Sequence, residues 1–131
     1  MALLKTADGV RREASRVTEA QGITLQQFNV LRILRGSEPN GLPTLEVAER
    51  MIEATPGVTR LIDRLEEKGL ARRERSVEDR RQVYCRITPE GLALLARLDP
   101  VILDVDTYRT SKLSERELEE LLRLLEVIRT G

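Results

Sequence analysis

Histidine and tryptophan are absent from this chain of 131 residues, and cysteine occurs once, as Cys85. No histidine and a single thiol exclude a disulfide framework and the common zinc ligand sets. They also leave an enzyme reading poorly supported, because no Gly-rich phosphate loop or paired-carboxylate pocket takes their place. No catalytic residue, metal or cofactor is expected. Aromatics are scarce at 2%, so the core must come from Leu, Ile, Val and Ala, which favours packed helices. No apolar run approaches the ~18–20 residues needed to cross a bilayer. The start, MALLKTADGVRREAS, lacks the layout of a signal peptide. A globular protein of the cytoplasm with no membrane partner is therefore expected.

Net charge is also lacking, at zero overall, but its distribution is uneven. Residues 60–86 carry nine basic and six acidic groups, whereas residues 87–131 carry six and nine. The densest stretch is RRERSVEDRRQVYCRIT, residues 72–88, with six arginines against three acids. A local basic face is an electrostatic footprint for phosphates. Ordinary scatter over a solvated surface is the plainer alternative.

What is present reads mainly as helix. Leu3, Leu4, Ala7, Val10, Ala14 and Val17 recur at helical spacing. TLQQFNVLRILRG predicts a second helix, with Thr24 as cap, Gln27 reaching back to it, and Gly36 as the stop. After the turn SEPNGLP, with Leu42 in a short edge strand, TLEVAERM predicts a third helix. Its expected cap is Thr44, and Leu45, Ala48, Met51 and Ile52 are expected to face inward. TPGVTRLIDRLEEKG predicts a fourth helix, with Thr55 as cap, Pro56 at the first helical position and Gly69 at the end. Val58, Leu61, Ile62 and Leu65 form its apolar stripe.

Two strands follow, near residues 70–75 and 82–87, joined by a loop at 76–81. Val83, Cys85 and Ile87 alternate with polar neighbours, so Cys85 points inward, where a free cysteine is a small hydrophobe. Thr88-Pro89 opens a long helix that Pro100 should kink or interrupt. A last helix begins at the capping box of Ser114 and Glu117. Its stripe of Leu118, Leu121, Leu122, Leu125 and Ile128 needs a partner surface. Pairing with a second chain is the economical solution, and packing on the first helix of the same chain is the alternative.

Two helices joined by a tight turn and followed by a β-hairpin make a winged helix-turn-helix, whose second helix enters the DNA major groove by its N-terminal part. On the outer face of that helix lie Thr55, Pro56, Gly57, Thr59, Arg60 and Arg64. The small residues allow close approach to the groove, the free amides suit phosphate, and Arg60 can fork to guanine. Asp63 and Glu67 would repel phosphate, so they are expected to lie further out or to pair with Arg60 and Arg64. On the hairpin, Arg75, Arg80 and Arg81 can reach a minor groove, with Asp79 holding Arg81 in one rotamer.

The segment VAERMIEATPGVTRLIDRLEEKGLARRE followed by DRRQVYCRITPEG resembles the multiple antibiotic resistance regulator (MarR) family. Its wing pattern of Asp-x-Arg, five residues, an aliphatic and Thr is matched by Asp79, Arg81, Ile87 and Thr88. Ile52 and Glu53 depart from it, standing where many members have Gly and an apolar residue. The resemblance implies a mainly α fold with a small β-hairpin wing. It also implies a homodimer joined through its N- and C-terminal helices, reading a palindromic double-stranded DNA operator. Residues 23–88 would form the DNA-binding lobe, and residues 1–22 and 89–131 the dimerisation region. Many members are released by small phenolic or anionic effectors, although two tyrosines and one phenylalanine furnish an aromatic pocket poorly. The other reading is a winged-helix module for protein partners, since the net charge is zero and acids sit on the recognition face.

Overall fold

The computed structural model describes residues 1–52 and 56–131. Its elements run α1 (Ala2–Ala20), α2 (Leu25–Gly36), β1 (Leu42–Pro43), α3 (Thr44–Arg50), α4 (Val58–Glu67), β2 (Ala71–Arg75), β3 (Val83–Ile87), α5 (Pro89–Thr110) and α6 (Glu115–Thr130). The fold is mainly α with one small antiparallel sheet of order β1-β3-β2.

Local chemistry sets most boundaries. Thr24 and Gln27 close a reciprocal capping box on α2, and Ser114 and Glu117 do the same on α6. Helix α2 continues through Gly36 and is closed at Ser37, so that glycine ends the helix from inside rather than beyond it. Helix α4 ends in a Schellman motif. Gly69 takes φ +73°, the Leu70 amide donates to the Leu65 carbonyl and the Gly69 amide to that of Glu66. That reversal sends the chain directly into β2.

Three expected helix starts or faces are corrected. Thr44 is the first residue of α3 and not its cap. Pro43 is held extended by its pairing with Tyr84, and the Thr44 hydroxyl meets Cys85 Sγ at 3.6 Å. Because α3 stops at Arg50, Ile52 lies beyond it and is exposed, as is Leu45, while Val47 takes the buried position. Pro56 is not the first helical residue of α4. Gly57 at φ +82° turns the chain left-handed between Pro56 and Val58, which a residue without Cβ adopts freely. The expected cap, Thr55, lies outside the described residues.

Pro100 does not interrupt α5, which runs unbroken for 22 residues. Its ring deprives the Ala96 carbonyl of an amide donor, but both residues are solvent-exposed, so water can serve that carbonyl.

The core gathers between α2, α4, α5 and the inner face of the sheet. Leu31 and Leu34 of α2, Ile62 and Leu65 of α4, Leu95 and Leu98 of α5 and Cys85 of β3 are fully buried within it. Thr88 closes the seam below the hairpin. Its hydroxyl donates to the Gly69 carbonyl at 2.6 Å and accepts the Gly91 amide at 3.1 Å, and its own amide donates to Leu70. The α4–β2 turn is thereby tied to the start of α5. Helix α6 differs: none of its residues is buried, and among the described residues no other element packs extensively on it.

Candidate nucleic-acid interface

The inward stripe of α4 consists of Val58, Ile62 and Leu65, with Leu61 beside it. A step of 100° per residue then divides the outer surface into three strips. Arg60 and Glu67 lie along its crest. Thr59, Asp63 and Glu66 face the hairpin side. Arg64 and Lys68 face the opposite side, where a polar cleft is lined by Gly22, Ile23, Thr24, Gln27 and Glu67. Lys68 donates there to the Gly22 carbonyl. Pro56, Gly57, Thr59, Arg60 and Arg64 are all exposed. Among the described residues, neither Arg60 nor Arg64 has an ion-pair partner.

Among the described residues no side chain caps the N-terminus of α4. The Gly57 carbonyl accepts the first helical bonds, from Arg60 at 3.0 Å and Leu61 at 3.2 Å. This first turn lies at the positive end of the helix dipole, a natural seat for an anion.

The acids of this helix are handled differently from expectation. Asp63 does not pair with Arg60 or Arg64. It meets Arg73 of β2 at 2.7 Å, and Glu66 meets the same guanidinium at 2.7 Å. Arg73 also donates through Nη2 to the Thr59 carbonyl at 3.1 Å, and its main-chain amide donates to Glu66 Oε2 at 3.1 Å. Partial burial pulls its pKa down, but the hydrogen bonds to Glu66 and Asp63 outweigh that and hold it above the ordinary arginine value. Sequence reading missed Arg73. The available signal was an acid pair at i, i+3 on a recognition helix with an arginine in the strand that follows.

The wing is a knitted loop. The Ser76 amide donates to the Gln82 carbonyl at 2.8 Å, the Gln82 amide to the Asp79 carbonyl at 3.0 Å, and the Asp79 amide to Ser76 Oγ at 3.1 Å. Asp79 Oδ1 accepts from both the amide and Nε of Arg81, at 3.0 and 3.4 Å. Arg81 is thus tethered at its base while its side chain stays 93% exposed. Arg80 is exposed beside it. Arg75 is turned to a structural task, donating to the Arg80 carbonyl across the base of the loop. Arg86 lies lower on the hairpin, between Glu38 at 3.2 Å and Glu74 at 3.4 Å, which joins β3 to the turn before β1.

A second concavity lies away from this surface. It is a cleft of about 670 Å³ between α1 and α2, lined on one side by Ala7, Val10 and Ala14 and on the other by Leu25, Phe28 and Arg32. The Arg32 guanidinium stands 5.8 Å from the centre of the Phe28 ring, within cation–π range.

A helix-turn-helix whose second helix exposes Thr59, Arg60 and Arg64, backed by a basic hairpin, defines a winged helix-turn-helix protein. A model of the MarR family matches residues 23–83. The crystal structure of a MarR transcription factor from Planctomyces limnophilus is 37% identical, with a TM-score of 0.72, covering 95% of this chain and 90% of that one. The homoprotocatechuate degradative operon repressor of Escherichia coli is 26% identical over 126 residues, which are 96% of this chain and 84% of the repressor. The S. aureus MepR–DNA complex shares the fold at 23% identity, with a TM-score of 0.88 over 98% of this chain and 94% of that one. The chain belongs to the MarR family and is a transcriptional regulator, not an enzyme.

Proposed function

We propose that this regulator is a repressor that binds a palindromic operator in double-stranded DNA as a homodimer. The observation that carries this reading is the pairing of two exposed cationic features on adjoining elements. Arg60 stands on the crest of α4 without an ion-pair partner among the described residues, and Arg81 is held by Asp79 at the wing tip. In this reading α4 enters the major groove. Pro56, Gly57 and Thr59 line the backbone approach, and Arg60 forks to a guanine. Arg80 and Arg81 enter the flanking minor groove, where negative potential is focused. Arg75 acts indirectly, by holding the wing loop closed. Arg64 contacts the phosphate backbone from the far flank.

In this reading the labour is divided along the chain. Residues 23–88 read DNA, while residues 1–22 and 89–131 pair the two copies. Support comes from α6, whose Leu121, Leu122, Leu125 and Ile128 are all exposed in the single chain. A stripe of that kind is covered most simply by its own symmetry mate. Two lobes related by that axis would meet half-sites about 34–36 Å apart.

The α1–α2 cleft supports release by a small molecule, since about 300–1,000 Å³ is the usual range for ligand sites. Arg32 stacked on Phe28 favours a planar or anionic compound. The deciding experiment is selection of bound duplexes from a random pool. Enrichment of a palindrome with half-sites one helical turn apart is the expected result. Failure to retain any duplex at 50 mM salt would instead favour a protein-interaction module.

A further inference from the structure

Arg73 carries a charge that is spent on partners within the protein. Its side chain is 22% exposed, against 93% for Arg81. Its guanidinium is shared among Asp63, Glu66 and the Thr59 carbonyl. Those three positions span two turns along one flank of α4. Glu66 grips twice, taking the guanidinium through Oε1 and the main-chain amide of the same residue through Oε2. A side chain and a strand backbone therefore hold one helix at several points, and rotation or sliding of α4 against β2 breaks more than one contact.

This arrangement also accounts for two of the acids on a DNA-facing helix, although not for Glu67 on its crest. Asp63 and Glu66 would repel phosphates if they were present only as surface charge. Bound to Arg73, they serve as the anchor points of the helix, and part of their charge is offset.

We propose that Arg73 is a positioning residue, which fixes α4 against β2 through Asp63, Glu66 and the Thr59 carbonyl so that recognition helix and wing meet DNA as one rigid unit. The proposal rests on the DNA-binding reading above. A side chain that reads base edges must be held within about 0.5 Å of its productive position, whereas phosphate attraction tolerates misplacement. Loss of the clamp therefore damages discrimination more than general affinity.

The test is a pair of fluorescence-anisotropy titrations for each variant, on a duplex selected with the parent and on random duplex of equal length. The ratio of the two affinities cancels any fraction of protein that fails to fold. Arg73→Met is expected to lower that ratio about tenfold. Asp63→Asn combined with Glu66→Gln is expected to lower it too, although removing two negative charges should by electrostatics alone strengthen binding. All three changes together should cost no more than Arg73→Met, because residues acting through one contact are coupled. Arg73→Lys, which keeps the charge and loses the fork, should fall between. An unchanged ratio in Arg73→Met, or better discrimination in the acid-to-amide variant, overturns the clamp while leaving DNA binding intact. A parent chain that enriches no duplex overturns the regulator reading itself, and the clamp's role with it.

Discussion

Arg35 of α2 donates to the Asp99 carboxylate of α5 across 2.6 Å, joining the second helix to the long helix at the residue before Pro100. Both side chains are more than a third exposed, so water screens the pair. Arg35→Ala is expected to destabilise the fold by no more than about 0.2–1 kcal/mol, read from the urea midpoint at unchanged slope. A loss of several kcal/mol would mean that the tie organises packing beyond its own charges.

Gly91 offers a sharper structural test. A Cβ there would lie 2.3 Å from the Leu70 carbonyl oxygen and 2.7 Å from Ile87 Cγ1. The oxygen is backbone, and it already accepts the Thr88 amide, so it has little freedom to retreat. Gly91→Ala should destabilise by about 1–3 kcal/mol despite its better helix propensity, as measured by chemical denaturation. A gain in stability would show that the junction of the α4–β2 turn with α5 is looser than described.

The arginines of the interface should separate by kind of effect. Arg81→Ala should weaken binding to all duplexes and lower the slope of log affinity against log salt by about one. Arg60→Ala should relax base preference at one position, at about 1–3 kcal/mol for a lost bidentate contact. Titrations at several salt concentrations, on operator and mismatched duplexes, distinguish the two. Identical binding by both variants and the parent would displace α4 and the wing from the DNA.

Leu122 is exposed on α6 and contributes nothing to the buried core. Leu122→Glu should therefore leave the winged lobe folded, by circular dichroism, while shifting the protein toward monomer in sedimentation velocity. Operator affinity should fall with it, since two half-sites are no longer linked. A monomeric parent would refute the symmetric assembly outright.

Acid should weaken the start of α6. The Ser114 amide, and then the Ser114 hydroxyl, hold the Glu117 carboxyl below its ordinary value of 4.5. A carboxylate with a depressed folded pKa contributes stability above its ordinary range and loses it as pH falls through the folded value. The difference in thermal midpoint between parent and Glu117→Gln should thus be present near neutrality and vanish in strong acid. A difference that persists unchanged at low pH would show that the charge on the Glu117 carboxylate is not its cause.

Features written within a few residues were legible beforehand. Both capping boxes, the Thr88-Pro89 start and the inward alternation of Cys85 needed only local chemistry, and each stands in the structure. The start of α4 was misplaced because Pro56 gives a strong helix signal, whereas the left-handed Gly57 beside it decides the geometry. On α3, Ala48 and Met51 do pack against the core, but Leu45 and Ile52 do not, because β1 pairing, a contact across more than 40 residues, fixes where that helix begins, and it stops at Arg50. The partners of Asp63 and Arg75 were hidden for the same reason. Which strand residue lies beside which helical turn depends on the reversal at Gly69 and on hairpin register, and neither is written in charge pattern.

Strand β2 is an edge of its sheet, with no further strand beside it among the described residues. Such borders normally offer vacant amides to any extended peptide drifting past. Here Glu66 already occupies the Arg73 amide, and exposed Arg72 and Arg75 stand on either side. An incoming polypeptide finds the ladder interrupted at its midpoint and flanked by like charges. A slender hairpin can therefore project from the body, at the concentrations a crowded cell imposes, without seeding cross-β stacking between molecules.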